Sequence, residues 1–164
     1  MKRLLPLLLA VSALSSLFLA NGEERKASSP EPSRPLKALL IAGGCCHDYV
    51  KQHEVLYKGI QERANVRVDV MWTRDRSTNP PLPVYDDPDW AKGYDVIIHD
   101  ECAASNKDLK VIENILKVHK TIPAVHLHCA MHSFRNGTDK WAKHLGLHSC
   151  LLYTSDAADE RHCV

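Results

Sequence analysis

Three apolar runs, each ending on residues that carry chemistry and each followed by a stretch with helical spacing, constrain this chain more than any other feature. Leu36-Lys-Ala-Leu-Leu-Ile-Ala42 runs into Gly43-Gly44, Tyr94-Asp-Val-Ile-Ile-His99 into Asp100-Glu101-Cys102, and Ile122-Pro-Ala-Val-His-Leu-His128 into Cys129. Short apolar runs bounded by turn residues read as buried strands. Val66-Arg-Val-Asp-Val-Met-Trp72 alternates apolar and polar residues, as a strand near a sheet edge does. Between the strands, Tyr49 to Ala64 carries Leu56, Ile60 and Ala64 at helical spacing behind Asp48, a good N-cap. Ser105 is the expected cap of a second helix through Lys120, with Leu109, Ile112, Ile115 and Leu116 as its core stripe. Met131 to Leu145 supplies a third helical segment, broken at Asn136-Gly137 and restarted by Thr138 as N-cap. Thr73 to Trp90 holds Pro80, Pro81, Pro83 and Pro88 and reads as one long loop, of a length often used for binding.

The order β-α-β-loop-β-α-β-α implies an α/β fold with a parallel sheet and right-handed crossovers, in a flavodoxin-like or related doubly wound arrangement. Such folds bind ligands in the crevice beyond the carboxyl ends of the strands. Three of those ends would converge there. Gly43, Gly44, Cys45, Cys46, His47 and Asp48 follow the first strand, His99 to Cys102 the third, and His128, Cys129 and His132 the fourth. By itself Cys129 reads as a small buried hydrophobe. Placed on a rim with imidazoles and carboxylates, it becomes a candidate nucleophile, with His47 or His132 as base and Glu101 or Asp48 orienting the ring. The competing chemistry is a divalent metal held by His47, Asp48, His128 and His132, with Glu101 as a further donor. Gly43 and Gly44 carry no phosphate-loop pattern and read as residues that permit close backbone approach to a ligand or loop.

The two ends of the chain differ in character from the stretch between them. Residues 1–22 read as a signal peptide. Lys2 and Arg3 precede an apolar stretch from Leu4 to Ala20, and Ala20 and Gly22 suit the cleavage site. The expected location is therefore periplasmic or secreted, with no membrane partner after cleavage. Residues 23–35 are rich in Ser, Pro and charge and read as a disordered spacer. At the other end, Cys150-Leu-Leu-Tyr-Thr-Ser-Asp-Ala-Ala-Asp-Glu160 is similar to the conceptual translation of a sequencing-library adapter. Residues 150–164 are thus expected to be a non-native tail, and residues 36–149 an incomplete domain. The formal net charge of +1, with basic residues dispersed, leaves no footprint for nucleic acid. Of the 6 cysteines, Cys150 and Cys163 fall in the tail. Cys45, Cys46, Cys102 and Cys129 form no disulfide framework and no C-x-x-C zinc pattern; free thiols or one incidental bridge fit better.

Leu39-Leu-Ile-Ala-Gly-Gly-Cys-Cys-His-Asp-Tyr49, Asp95-Val-Ile-Ile-His-Asp100 and Val125-His-Leu-His-Cys-Ala-Met-His132 together resemble the ThuA-like (trehalose-utilisation) family. Thr138-Asp-Lys-Trp141 and Leu145-Gly-Leu147 fit the same pattern, so the resemblance covers residues 36–149. It implies a class I glutamine amidotransferase-like sandwich and a role in disaccharide catabolism on a small sugar derivative, as a hydrolase or lyase. It also places Cys129 at the nucleophile elbow of that superfamily. The glycines that flank an amidotransferase thiol are replaced by Leu127 and Met131, which argues against amidotransferase activity. The superfamily's later triad partners would lie beyond Ser149. The alternative is a non-catalytic carbohydrate-binding or scaffold module in which Trp72, Trp90 or Tyr85 stack on sugar faces. Oligomeric state and any cofactor beyond a divalent metal are left open.

Overall fold

The structure is a computed structural model and describes residues 34–146. The expected signal peptide, all but the last two residues of the expected spacer, residues 147–149 and the adapter-like tail lie outside the described residues. Four parallel strands form one sheet: β1 (Leu36–Gly44), β2 (Val66–Trp72), β3 (Val96–Cys102) and β4 (Ala124–His126), in the order β2-β1-β3-β4. The helices are α1 (Tyr49–Gln61), α2 (Leu109–Val118) and the short α3 (Lys140–Leu145). The expected α/β class with a parallel sheet holds, and β2 is at the edge as its alternating pattern requires.

Side chains of β1 alternate between two cores. Leu39 and Ile41 join Ile97, Ile112, Ile115, Phe134 and Trp141 on the α2 side. Ala38 and Leu40 join Val68 and Ile98 on the α1 side, where Leu56, Tyr57 and Ile60 cover them. In α2, Ile112 and Ile115 are fully buried, but Leu109 is 48% exposed and drops out of the expected stripe. The expected caps shift as well. Asp108, rather than Ser105, caps α2 by accepting from the Lys110 and Val111 amides. Asp139, rather than Thr138, precedes α3. Asp48 does cap α1, accepting from the Lys51 amide. Ala64 falls outside α1 and is exposed.

Two segments read as loop or spacer are structural. Tyr85 and Trp90, from the proline-rich connection, are 2% and 6% exposed and pack in the α2-side core. A 3-10 turn at Pro83–Asp86 carries Tyr85 inward. Arg34, expected in the spacer, clamps Asp95 through two hydrogen bonds of 2.7 and 2.6 Å. Asp95 also accepts from the Lys37 amide, and the Arg34 guanidinium and this amide hold its carboxyl down at about 2.

Candidate functional site

The elbow after β4 is a tight turn rather than the start of a long helix. A 3-10 turn covers His128–His132, and His128 opens it at φ +39°, a conformation rarely held without surrounding support. That support is visible. Leu127 N–H donates to the His99 carbonyl at 2.8 Å, and Trp141 Nε1 donates to the Ala130 carbonyl at 2.9 Å. Ser133 Oγ donates to the Glu101 carbonyl at 2.7 Å and accepts from the Ala103 amide at 2.9 Å. The turn is thereby pinned to the end of β3.

The pinned turn brings Cys129 to His47, 82 residues away in sequence, with Sγ and Nε2 3.1 Å apart. The His47 ring meets His128 edge-on at 4.7 Å and Tyr49 edge-on at 5.9 Å. The donor atoms of His47, His128 and Cys129 all lie within 4.8 Å of one another. Cys129 is 2% exposed, while His128 faces solvent and His47 is intermediate. Burial, then the neighbouring His128, lowers the His47 pKa, so its ring is neutral and able to accept a thiol proton. A small cleft of about 40 Å³ beside His47 is lined by Gly44, Asp48, Tyr49, Val50, Thr73, Arg74, Asp75 and Arg76. Roomier grooves lie elsewhere, between the proline-rich loop and α2.

Only part of the expected rim assembles. Glu101 does not orient His47, because β3 continues to Cys102 and its residues alternate between faces. Glu101 points to the α2 side, where Oε1 accepts from the Tyr85 hydroxyl at 2.9 Å and lies 2.9 Å from His99 Nδ1. Asp48 also takes no part in orienting the ring; its carboxylate serves the α1 N-terminus and an ion pair with Lys51 at 3.3 Å. Among the described residues, the donors grouped with His47 and His128 are completed by Cys129, and Asp48 and His132 are not in that group. His132 ends the 3-10 turn, four residues after His128, at intermediate burial. Gly43 and Gly44 admit neighbouring chain more than ligand. A Cβ on Gly43 would meet Thr73 Cγ2 at 2.5 Å, and one on Gly44 the Cys102 carbonyl oxygen at 2.4 Å. Gly44 still borders the cleft. With Tyr85 and Trp90 buried, the aromatic platform expected for a sugar-binding module is reduced to Trp72, which stacks on His53 at 4.4 Å.

Asp100, placed on the rim by the sequence but given no role, and Tyr49, given none either, lie next to the site. Asp100 points to the α1 side, 1% exposed, and accepts from Gln52 Nε2 at 2.7 Å. Burial, reinforced by Glu101, pushes its carboxyl up to about 7. Tyr49 is packed with Ala42, Cys102 and Cys129, and its buried hydroxyl lacks a hydrogen-bond partner. Burial, then Cys129, raises its pKa, so it remains a proton donor. The apolar run ends at His99, before the charged Asp100 and Glu101, so no local signal carried the strand on to Cys102. No sequence pattern marks Tyr49, whose place depends on how α1 lies across the sheet end.

The thiols cluster too. Cys45 and Cys46 are joined by a disulfide, and Cys45 Sγ lies 3.4 Å from Cys102 Sγ. Cys102 and Cys129 are free and buried. Burial, then Cys129, pushes the Cys102 thiol up to about 11. Comparison of the chain with family models, with curated proteins and with solved structures finds no match.

Proposed function

We propose that this chain is an exported ThuA-like domain of the flavodoxin-type, class I glutamine amidotransferase-like fold, acting on a small sugar derivative in carbohydrate catabolism. The observation that carries an active role is the 3.1 Å approach of His47 Nε2 to Cys129 Sγ. Cys129 is the nucleophile: its sulfur bonds to an electrophilic carbon of the ligand as that carbon's bond to the leaving oxygen breaks. The thiol proton passes to His47 Nε2 and on to that oxygen, and a water deprotonated by His47 then displaces the sulfur and restores the thiol. His128 borders the solvent side of the pair, and Tyr49 packs against Cys129. Asp48, Arg74, Asp75 and Arg76 border the cleft, whose volume of about 40 Å³ has room for a hydroxyl of the ligand rather than for a whole sugar ring.

Two measurements test this reading. Alkylation of Cys129 by iodoacetamide, followed by peptide mass mapping, slows roughly tenfold or more in His47→Ala, because the thiol loses its base. Turnover of a disaccharide panel that includes trehalose is lost in Cys129→Ala and in His128→Ala. Unchanged turnover in both variants would overturn the proposal.

A further inference from the structure

The sulfurs of Cys45, Cys46 and Cys102 have no place in the proposed chemistry, yet all three lie within 4.8 Å of one another. Their convergence is built by the fold. Gly44 is paired in register with Cys102, and its φ of +105° turns the chain over the end of β3, so that Cys45 lands on Cys102. Cys46, at φ +82°, turns the chain back and leaves its own side exposed. Cys102 is 3% exposed beneath them.

Two chemistries are open to such a triangle. Thiol–disulfide exchange needs the attacking sulfur in line with the bond it breaks. Three sulfurs within 4.8 Å, with Cys102 already 3.4 Å from Cys45, make a compact triangle rather than a line. A single metal ion requires that compactness: sulfurs held about 2.3 Å from one ion sit roughly 4 Å apart. Thiolates select thiophilic ions. Cys129, although hydrogen-bonded to Cys102, is not among the sulfurs that all lie within 4.8 Å of one another, and a set of three favours copper(I) over zinc, which takes four.

We propose that Cys45, Cys46 and Cys102 form a trithiolate site for one copper(I) ion when the Cys45–Cys46 bond is reduced. A dithiol reductant supplies two electrons and two protons to the Cys45–Cys46 bond and leaves as its own disulfide. Copper(I) then replaces thiol protons, which go to solvent. The site adjoins the Cys129–His47 pair through the Cys102–Cys129 hydrogen bond but uses none of its residues as ligands. Copper(I) binding and turnover are read separately, so failure of one proposal is distinguishable from failure of the other.

The test uses the full chain carrying Cys150→Ser and Cys163→Ser, so that the remaining thiols are the four of the domain. The protein is reduced without oxygen, its thiols are counted, and copper(I) is titrated from a coloured competing chelator. The expected result is one ion per chain with an ultraviolet thiolate-to-copper band. Affinity falls by roughly 100-fold or more in Cys46→Ser and in Cys102→Ser and is unchanged in His128→Ala. Cys46 is exposed, so its variant reports on binding even if Cys102→Ser unfolds. Full affinity in Cys46→Ser, loss in His128→Ala, binding of zinc(II) in preference to copper(I), or no binding by the reduced chain would each overturn the proposal.

Discussion

Gly44 and Cys102 face each other in the β1–β3 register so closely that a methyl group on Gly44 would lie 2.4 Å from the Cys102 carbonyl oxygen. This one approach sets where Cys45, Cys46 and His47 emerge relative to the end of β3, and so underlies both the three-cysteine group and the His47–His128–Cys129 group.

Gly44→Ala therefore meets backbone that cannot move aside, in addition to the cost of φ +105°. The expected loss is about 3 kcal/mol or more. Gly93→Ala is the control. It also has positive φ, at +85°, but nothing lies within 4 Å of the added carbon, and it costs about 1 kcal/mol. Urea unfolding midpoints of the two variants compare them directly; equal losses would show that the close approach is unimportant.

Asp100 destabilises the folded chain near neutral pH. Its carboxyl titrates at about 7 when folded, against 3.8 for the unperturbed group. At pH below 3.8 both states hold the proton and nothing is lost. As the pH climbs from there toward 7, the unfolded chain ionises while the folded chain does not, and stability falls. Asp100→Asn keeps an acceptor for Gln52 and removes the penalty. The expected gain at neutral pH is about 2 kcal/mol, roughly half of the full conversion at 1.4 kcal/mol per pKa unit, discounted for screening. The gain should vanish near pH 4. Unfolding curves at both pH values decide the matter, and an equal gain at both would contradict it.

The histidines behind β4 act in the opposite direction. His126 stacks on His99 at 4.9 Å and meets Trp141 edge-on, while His99 Nε2 lies 2.8 Å from His119 Nε2. Burial first, then His99, lowers His119 to about 4 and His126 to about 3 from 6.5. Above pH 6.5 both states are neutral and stability is unaffected. As pH falls below that value, the unfolded chain takes up protons that the folded chain refuses, and stability is lost. Each ring contributes about 1 kcal/mol of this loss at pH 5 after discounting for its partial exposure. His126→Phe keeps a stacked ring without the titration. Its thermal midpoint should drop less than that of the parent between pH 7 and pH 5, as followed by circular dichroism; an identical drop would refute the assignment.

Hydrophobic pattern determined the alternation of strands and helices, the edge position of β2 and the placement of Cys129 just after β4, and residue type determined the Asp48 cap. These follow from local rules, because burial on one face or two leaves a period in the sequence. The partners at the site were decided by tertiary structure. Ending β3 at His99 would have left Asp100, Glu101 and Cys102 free to share one rim. Continuing it to Cys102 sends Glu101 to Tyr85 and His99, and Asp100 and Cys102 to the face of α1. Tyr85 and Trp90 likewise read as loop aromatics and became core, because the α2 side of the sheet had apolar area to cover. That His47 reaches Cys129 across 82 residues depends on strand register and on a turn pinned by Ser133 and Trp141. Those are long-range contacts, and no local period in the sequence records them.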